Sequence, residues 1–553
     1  MNNEKLADIL FPGITKTPED YESVFPLRSL PADAKVTRMG PSPTGFMHLG
    51  NLYGAFVDER LAHQSRGKFF LRIEDTDDKR KVEGAVELII SSLKFFGLTF
   101  DEGADLTGDK GEYGPYHQSQ RAEIYQAYAK RLVQKGLAYP CFLTADEISE
   151  IRAKQEAEKL TPGIYGKYAA HRDLSIEEIQ ERIAKGEEFV VRLRSQGTEG
   201  SGKTFTVKDA IRGDLTMPEN FQDTVILKSN GIPTYHFAHV VDDHLMRTTH
   251  VVRGEEWLPS LPIHVELFSD LGLEMPIFCH TAQLMKIDEE SGVKRKLSKR
   301  KDPELSLDYY REKGYHPAAV REYLLTVLNS NFEEWRMANP EADIDEFEFT
   351  TEKMSNSGAL FDINKLNDVC KDVMLRIPAE DLADFLVDWA KEWKPELTAL
   401  INAPKDFLKT VLDVGRHEKK PRKDLMYGEQ IKDFISFYFD DYFKYEDEVP
   451  ENVPKEDIPA ILEAYLETYN HGDTQEEWFN KVREMAVEKG YAAKPKDFKK
   501  NPDQFKGHVG HVSTVIRIAL TGRSNSPDIW EIQQILGEEA TKKRMLAFAE
   551  ANK

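Results

Sequence analysis

The stretch Lys35–Asn51, Lys-Val-Thr-Arg-Met-Gly-Pro-Ser-Pro-Thr-Gly-Phe-Met-His-Leu-Gly-Asn, constrains this chain more than any other. Lys35–Met39 is short and partly β-branched, and reads as a strand. Gly40–Gly45 holds two glycines and two prolines and reads as a tight turn. From Leu49 onward, Leu49, Leu52, Ala55, Phe56 and Leu61 recur at helical spacing. A strand, a Gly/Pro turn and a helix N-terminus together form a phosphate-binding arrangement, because the first helical N–H groups lack partners and carry partial positive charge. Gly50 allows a nucleotide to come close to the backbone, and His48 adds a side-chain donor. An ordinary strand-to-helix connection with an incidental histidine accounts for the same spacing.

A second stretch shifts the balance. Lys294-Arg-Lys-Leu-Ser-Lys-Arg-Lys301 has six basic residues in eight, in a chain whose net charge is −22. Such a run is either a solvated or targeting segment, or a phosphate-binding loop. The pair Met-His-Leu-Gly-Asn (47–51) and Lys-Leu-Ser-Lys-Arg (296–300) resembles the two motifs of class I aminoacyl-tRNA synthetases. Further stretches are similar to glutamyl-tRNA synthetases of the bacterial type: Arg-x-x-Pro-Ser-Pro-Thr-Gly, Leu-Arg-Ile-Glu-Asp-Thr-Asp (71–77), Pro-Thr-Tyr-His-Phe-Ala (233–238), Val-Val-Asp-Asp-His (240–244) and Arg-Gly-Glu-Glu-Trp (253–257). They occur in family order from residue 36 to about 310. The later chain is similar more faintly, best at Arg-Ile-Ala-Leu-Thr-Gly-Arg (517–523).

At 553 residues the chain is too long for a single core. An apolar content of 40% and a charged content of 31% fit a water-soluble globular protein. No apolar run approaches a membrane span, and the start Met-Asn-Asn-Glu-Lys lacks an apolar signal core, so a cytoplasmic location is expected. Cys141, Cys279 and Cys370 are widely spaced and form no Cys-x-x-Cys pair, so neither a disulfide framework nor zinc is expected. The acidity argues against indiscriminate polyanion binding. Local basic patches at 294–301, 416–423 and 494–506 leave room for RNA.

The fold class expected is α/β: a Rossmann-like, doubly wound parallel sheet with an α+β insertion, then a mostly helical carboxyl half. Residues 1–34 form an N-terminal extension of unassigned role. Residues 35–120 and 225–275 are the two halves of the nucleotide fold, and 121–224 is the insertion. Residues 276–375 carry the basic loop and a stem-contact domain, and 376–553 are helical. Phe69–Ile73 reads as a strand. Thr76–Asp78 read as caps for a helix carrying Val82, Ala85, Val86, Ile89, Leu93 and Phe96 on one stripe, ended by Gly97. The stretches 224–228, 234–241 and 250–257 read as strands. Arg192 and Arg194 alternate on a strand and share one face, which is either a tRNA-facing surface or a solvated one.

The resemblance implies a glutamate–tRNA ligase. Its substrates are L-glutamate, ATP with Mg²⁺, and tRNA(Glu), and it works as a monomer. It implies His48, Lys296 and Lys299 as catalytic residues, and His48, Gly50, Ser298 and Lys299 around ATP. Arg38, Ser42, Glu74, Tyr235 and Arg253 are implied around glutamate. The insertion, with Arg192 and Arg194, is implied to hold the tRNA acceptor end, and Arg416 and Arg422 lie in the half that meets the anticodon. His239 stands where some relatives have asparagine and is left unassigned. The chemistry suits these residue types. A carboxylate is already a nucleophile, so what the reaction needs is fixed positive charge around the phosphates. Arginine forks suit the glutamate carboxylates, and a mobile basic loop can close over the triphosphate. The alternatives are an enzyme that also charges tRNA(Gln), a glutaminyl-tRNA synthetase, a truncated paralogue that glutamylates a tRNA base, and a noncatalytic RNA-binding relative.

Overall fold

The computed structural model describes residues 2–43, 47–77, 82–401 and 406–553. They divide into two compact units, Met1–Tyr309 with Arg321–Asp362, and Tyr310–Val320 with Ile363–Lys553. The division falls at Asp362/Ile363, ahead of the boundary expected at 375, and puts the helix Ile363–Arg376 in the second unit.

The first unit opens with helices α1 (Asn3–Leu10) and α2 (Pro18–Val24). The nucleotide fold follows: β1 (Val36–Met39), α3 (Leu49–Gln64), β2 (Lys68–Leu71), α4 (Ala85–Phe95) and β3 (Glu102–Gly103). The inserted region holds α5 (Ala122–Gln134), β4 (Ala138–Cys141), α6 (Ala145–Ala157), α7 (Ile176–Ala184), β5 (Val190–Leu193), the hairpin β6 (Thr204–Asp209) and β7 (Gly213–Pro218), and β8 (Val225–Leu227). The chain returns through α8 (Tyr235–Leu245), β9 (His250–Gly254), α9 (Leu261–Leu271) and β10 (Ile277–Thr281) to the hairpin β11 (Leu284–Ile287) and β12 (Lys294–Lys296).

β1 pairs in parallel with β2, and β2 with β3. On the other edge the Thr249 N–H donates to the Val36 carbonyl at 2.9 Å, which sets β9 beside β1. β9 pairs in parallel with β10, and β10 with β6. The order β3-β2-β1-β9-β10 is that of a doubly wound sheet, whose ligands sit beyond the carboxyl ends of the strands where the order reverses. Its central strands are buried, as parallel strands require: Val251, Phe278 and Cys279 are fully inside.

Strand pairing crosses the boundary expected at 224. β8 joins β4 and β5 in a separate antiparallel sheet, while the β6–β7 hairpin from within 121–224 extends the catalytic sheet. The stretch 234–241, expected to be a strand, is the helix α8. Phe237, Ala238, Val240, Val241 and Leu245 are fully buried, and so are His239, Asp242 and Asp243, so the helix is enclosed on nearly every side and no exposed polar face marks its period in the sequence. Neither Thr76 nor Asp77 caps α4 as expected. Its N-cap is Gly84 at φ 75°, with no side-chain cap, and Val82 is exposed. Asp75 instead accepts from the Ser119 N–H and hydroxyl at 2.8 and 2.7 Å. Asp78 lies outside the described residues.

The N-terminal extension is pinned at several points. Arg28 donates both guanidinium ends to Glu102 at 2.7 and 3.0 Å, and Arg247, just beyond α8, donates to the Phe25 carbonyl and to Glu22. The second unit is helical and holds two apolar cores, one from Met374 to Ile435 and one from Phe437 to Ala549. Among the described residues no helix is long and apolar enough to cross a membrane. Cys141 is buried in β4, and no group of three or more His, Cys, Asp or Glu among the described residues is set to hold a metal.

Candidate active site

A cleft of about 440 Å³ opens where β1, β9 and β10 end. It is lined on one side by His48, Gly50, Lys296 and Lys299, and on the other by Arg38, Glu74, Tyr235, Arg253 and Trp257.

His48 is the N-cap of α3. Its Nδ1 accepts from the Asn51 N–H at 3.2 Å, and the Asn51 side chain accepts from the His48 N–H at 3.1 Å. With Nδ1 an acceptor, the ring proton sits on Nε2, so the capping bond sets the tautomer that can donate to a phosphate. Burial, and then the charge of Lys299, push the His48 pKa down to about 4, so the ring is neutral. A Cβ on residue 50 would sit 3.1 Å from the His48 ring, so glycine there gives the folded-back imidazole its room.

The basic run divides its labour. Arg295 pairs with both oxygens of Asp302 at 2.6 and 2.8 Å and with Asp288 at 2.8 Å. Asp302, its pKa drawn down to about 2 by Arg295, also takes the Ser298 N–H at 2.8 Å. Leu297 is buried and anchors the turn. Lys296 and Lys299 are left exposed and facing the cleft. The segment just after the basic run joins the first motif. Ser306 bridges to His48, and the Leu307 N–H donates to the Met47 carbonyl at 3.3 Å.

Across the cleft a buried ion network supports the wall. Asp243 receives Arg38 Nε at 3.1 Å and Arg72 Nη1 at 2.7 Å, and the second arm of Arg72 reaches Glu74 at 3.0 Å. Burial disfavours the Asp243 carboxylate, but Arg38 and Arg72 hold its pKa well below the usual range. Burial raises Glu74 despite the same two arginines. A Cβ at Gly40 would lie 2.3 Å from Glu74 Oε1, so glycine at the end of β1 is what lets this carboxylate reach the cleft. Tyr235 lies over Trp257 at 4.3 Å between ring centres and stacks on His239 at 5.7 Å. His239 itself is fully buried behind Tyr235 and paired with Asp243. Arg253 donates Nε to His280 and Nη1 to His264, each at 3.0 Å. Its buried Nη2 has no hydrogen-bond partner among the described residues.

Other expected site residues fall elsewhere. Ser42 is exposed, and Ser298 serves the loop turn; neither lines the cleft. Arg192 does not share an open face with Arg194: it is buried and donates to the Asp223 carbonyl at 2.8 Å. Arg194 follows β5, is partly exposed and pairs with Asp173 at 3.1 Å. Arg416 donates to the carbonyls of Leu375, Ile377 and Met374 at 2.8, 2.6 and 3.0 Å, closing the end of a helix rather than facing solvent. Arg422 is half-exposed and pairs with Asp424. Sequence reasoning missed Arg72, Asp243, His264 and His280. The motifs 71–77 and 240–244 contain the first two, but nothing in their spacing shows that Arg72 pairs with Asp243 or that Arg38 shares that carboxylate.

Comparison with known proteins agrees with this geometry. Residues 35–368 match the family of tRNA synthetases class I (E and Q), catalytic domain, and residues 420–549 match an anticodon binding domain family. The chain belongs to the class I tRNA synthetases of this E and Q group. It is 64% identical over 546 residues to the glutamate–tRNA ligase of Acetivibrio thermocellus, with 99% of each chain covered. To that of Clostridium perfringens strain SM101 it is 49% identical over 555 residues, covering 99% of this chain and 100% of the relative. A crystal structure of a glutamate tRNA ligase from Elizabethkingia meningosepticum in complex with its amino acid superimposes with a TM-score of 0.74 at 25% identity, covering 94% of this chain and 100% of that one.

Proposed function

We propose that the chain is an ATP-dependent glutamate–tRNA ligase. The observation that carries this reading is the two-sided cleft: a neutral histidine at a helix N-terminus and two lysines on one wall, and a buried arginine with an unpartnered arm on the other. In the first step a glutamate carboxylate oxygen attacks the α-phosphorus of ATP. The P–O bond to the β-phosphate breaks and pyrophosphate leaves. In the second, the terminal ribose hydroxyl of tRNA(Glu) attacks the acyl carbon, releases its proton, and AMP departs. ATP enters as its Mg²⁺ complex. His48 Nε2–H, the α3 N-terminus, Lys296 and Lys299 meet charge that builds on the phosphates, with Lys299 carrying most of that role. Gly50 keeps His48 in place, and Ser298 shapes the lysine loop.

Arg253 and Arg38 set the charge for the substrate carboxylates, Glu74 receives the amino group, and Tyr235 forms the wall. For tRNA we retain Arg194 and Arg422, whose side chains are partly exposed, and set aside Arg192 and Arg416, whose guanidinium groups are spent on backbone carbonyls. We read the enzyme as a monomer that works in the cytoplasm, as the family resemblance implies. The test is charging of separated tRNA isoacceptors with glutamate and glutamine in competition. Glutamylation of tRNA(Glu) that is lost in Lys299→Ala supports the reading. Charging of tRNA(Gln) as well would mark relaxed anticodon selection. ATP binding without charging by either amino acid would favour a noncatalytic RNA-binding protein.

A further inference from the structure

Behind the cleft wall, five residues far apart in sequence form one hydrogen-bonded row. Asp209 at the end of β6 meets His280 Nδ1 at 2.7 Å. His280 Nε2 accepts from Arg253 Nε, and His264 Nδ1 takes Arg253 Nη1, both at 3.0 Å. His264 Nε2 meets His236 Nδ1 at 2.9 Å. Asp209, His280 and His264 are fully buried, and none of the three lines the cleft.

The row has one consistent arrangement of protons. A guanidinium has donors only, so His280 Nε2 and His264 Nδ1 must both be lone pairs. The His280 proton therefore sits on Nδ1 and points at Asp209. The His264 proton sits on Nε2 and points at His236, whose own proton is then on Nε2. Burial keeps all three rings neutral, and the Arg253 charge adds to the shift.

The two arginines of the cleft thereby differ. Arg38 pairs with the Asp243 carboxylate, which Arg72 shares. Arg253 is held at two of its nitrogens by uncharged acceptors and pairs with no carboxylate among the described residues. Resting on the ligase reading above, we propose that His264 and His280 are positioning residues for substrate selection. They orient Arg253 while leaving its positive charge unspent, so that its free Nη2 demands an anionic side chain and rejects the neutral amide of glutamine. A carboxylate in either place would grip the guanidinium as well but cancel the charge.

The experiment measures kcat and KM for glutamate, glutamine and ATP in tRNA(Glu) charging by the full chain. His264→Leu and His280→Leu are expected to raise KM for glutamate roughly 10- to 100-fold, the range for a lost hydrogen bond to a charged group, with KM for ATP at the wild-type value. His264→Gln and His280→Gln keep a neutral acceptor and should recover most of the loss. His264→Glu should instead collapse the preference for glutamate over glutamine while the chain stays folded by its thermal midpoint. If the leucine variants fail to fold, the glutamine and glutamate variants decide alone. Leucine and glutamine variants that behave alike, a fall in kcat at constant KM, or full discrimination in His264→Glu would overturn the proposal. No glutamate-dependent charging by the unmodified chain would overturn the ligase reading along with it.

Discussion

Two helices in this molecule start in nearly the same way. At α3 the sequence is His48-Leu-Gly50-Asn51; in the second unit the helix Val509–Thr521 opens with His508-Val-Gly510-His511. Both histidines are N-caps whose Nδ1 accepts a backbone N–H, from Asn51 at 3.2 Å and from Gly510 at 3.0 Å. In both, the histidine N–H donates in return to the side chain of the fourth residue of the motif. Both glycines leave room for the ring. The surroundings differ. His48 faces a cleft and shares its wall with two lysines, whereas His508 packs on His511 at 4.0 Å between ring centres and against Phe498 at 5.8 Å. A histidine two residues before a glycine at a helix start is therefore a capping device first. On the proposed reading it becomes a phosphate donor only where another segment supplies cations and open volume beside it.

The comparison can be broken most sharply from the lysine side. Lys299→Ala should lower kcat for tRNA charging roughly 100- to 1000-fold, the usual cost of removing one fixed donor to a developing charge. An effect below about 10-fold would mean that the cleft does not work through that donor. Asparagine substitution then separates capping from catalysis, because asparagine caps well but offers no imidazole N–H. His48→Asn should keep the thermal midpoint and lose roughly 100-fold in rate. His508→Asn should keep both the midpoint and glutamate activation. Next in size, His508→Ala should cost about 1 kcal/mol in chemical denaturation, the usual value of an N-cap. A Cβ on Gly510 would lie 2.7 Å from its histidine, against 3.1 Å at Gly50. Gly510→Ala should therefore lose more stability, by roughly 1 kcal/mol, while Gly50→Ala shows itself in KM for ATP.

The smallest effect is in pH. The folded-state pKa of His48, about 4, lies below the value near 6.5 of the unfolded chain. Between those values the unfolded chain binds the extra proton, so this group's contribution lowers stability as pH falls from 6.5 toward 4. In the folded enzyme the ring stays neutral across that range. The His48 limb of the rate profile should centre near pH 4, and a limb centred near 6.5 would contradict the burial of the ring.

What was legible in the sequence had local causes. Val36–Met39 and the α3 stripe follow from nearest-neighbour chemistry, while the fold class follows from the family resemblance; Thr44 and Gly45 of the Gly/Pro turn lie outside the described residues. The 234–241 stretch misled because a helix buried on nearly all sides has no polar face to mark its period, and Val240-Val241 beside aromatic residues mimic a strand. Arg192 and Arg416 misled because a positive residue reads the same in sequence whether it faces RNA or closes off buried carbonyls. The row from Asp209 to His236 had no signal at all: its members come from five elements and meet only through the sheet order.

That row also bears on how such enzymes can be taken apart. The β6–β7 hairpin lies within the inserted stretch yet belongs to the catalytic sheet, and it brings Asp209 to the far end of the support for Arg253. On the proposed reading, a chimera that exchanged residues 121–224 as a block would transplant one end of the support for Arg253 along with the insertion. Modularity here follows the strands rather than the order of the chain. Grafts that leave 204–218 with the recipient are the ones expected to change tRNA preference without disturbing the choice of amino acid.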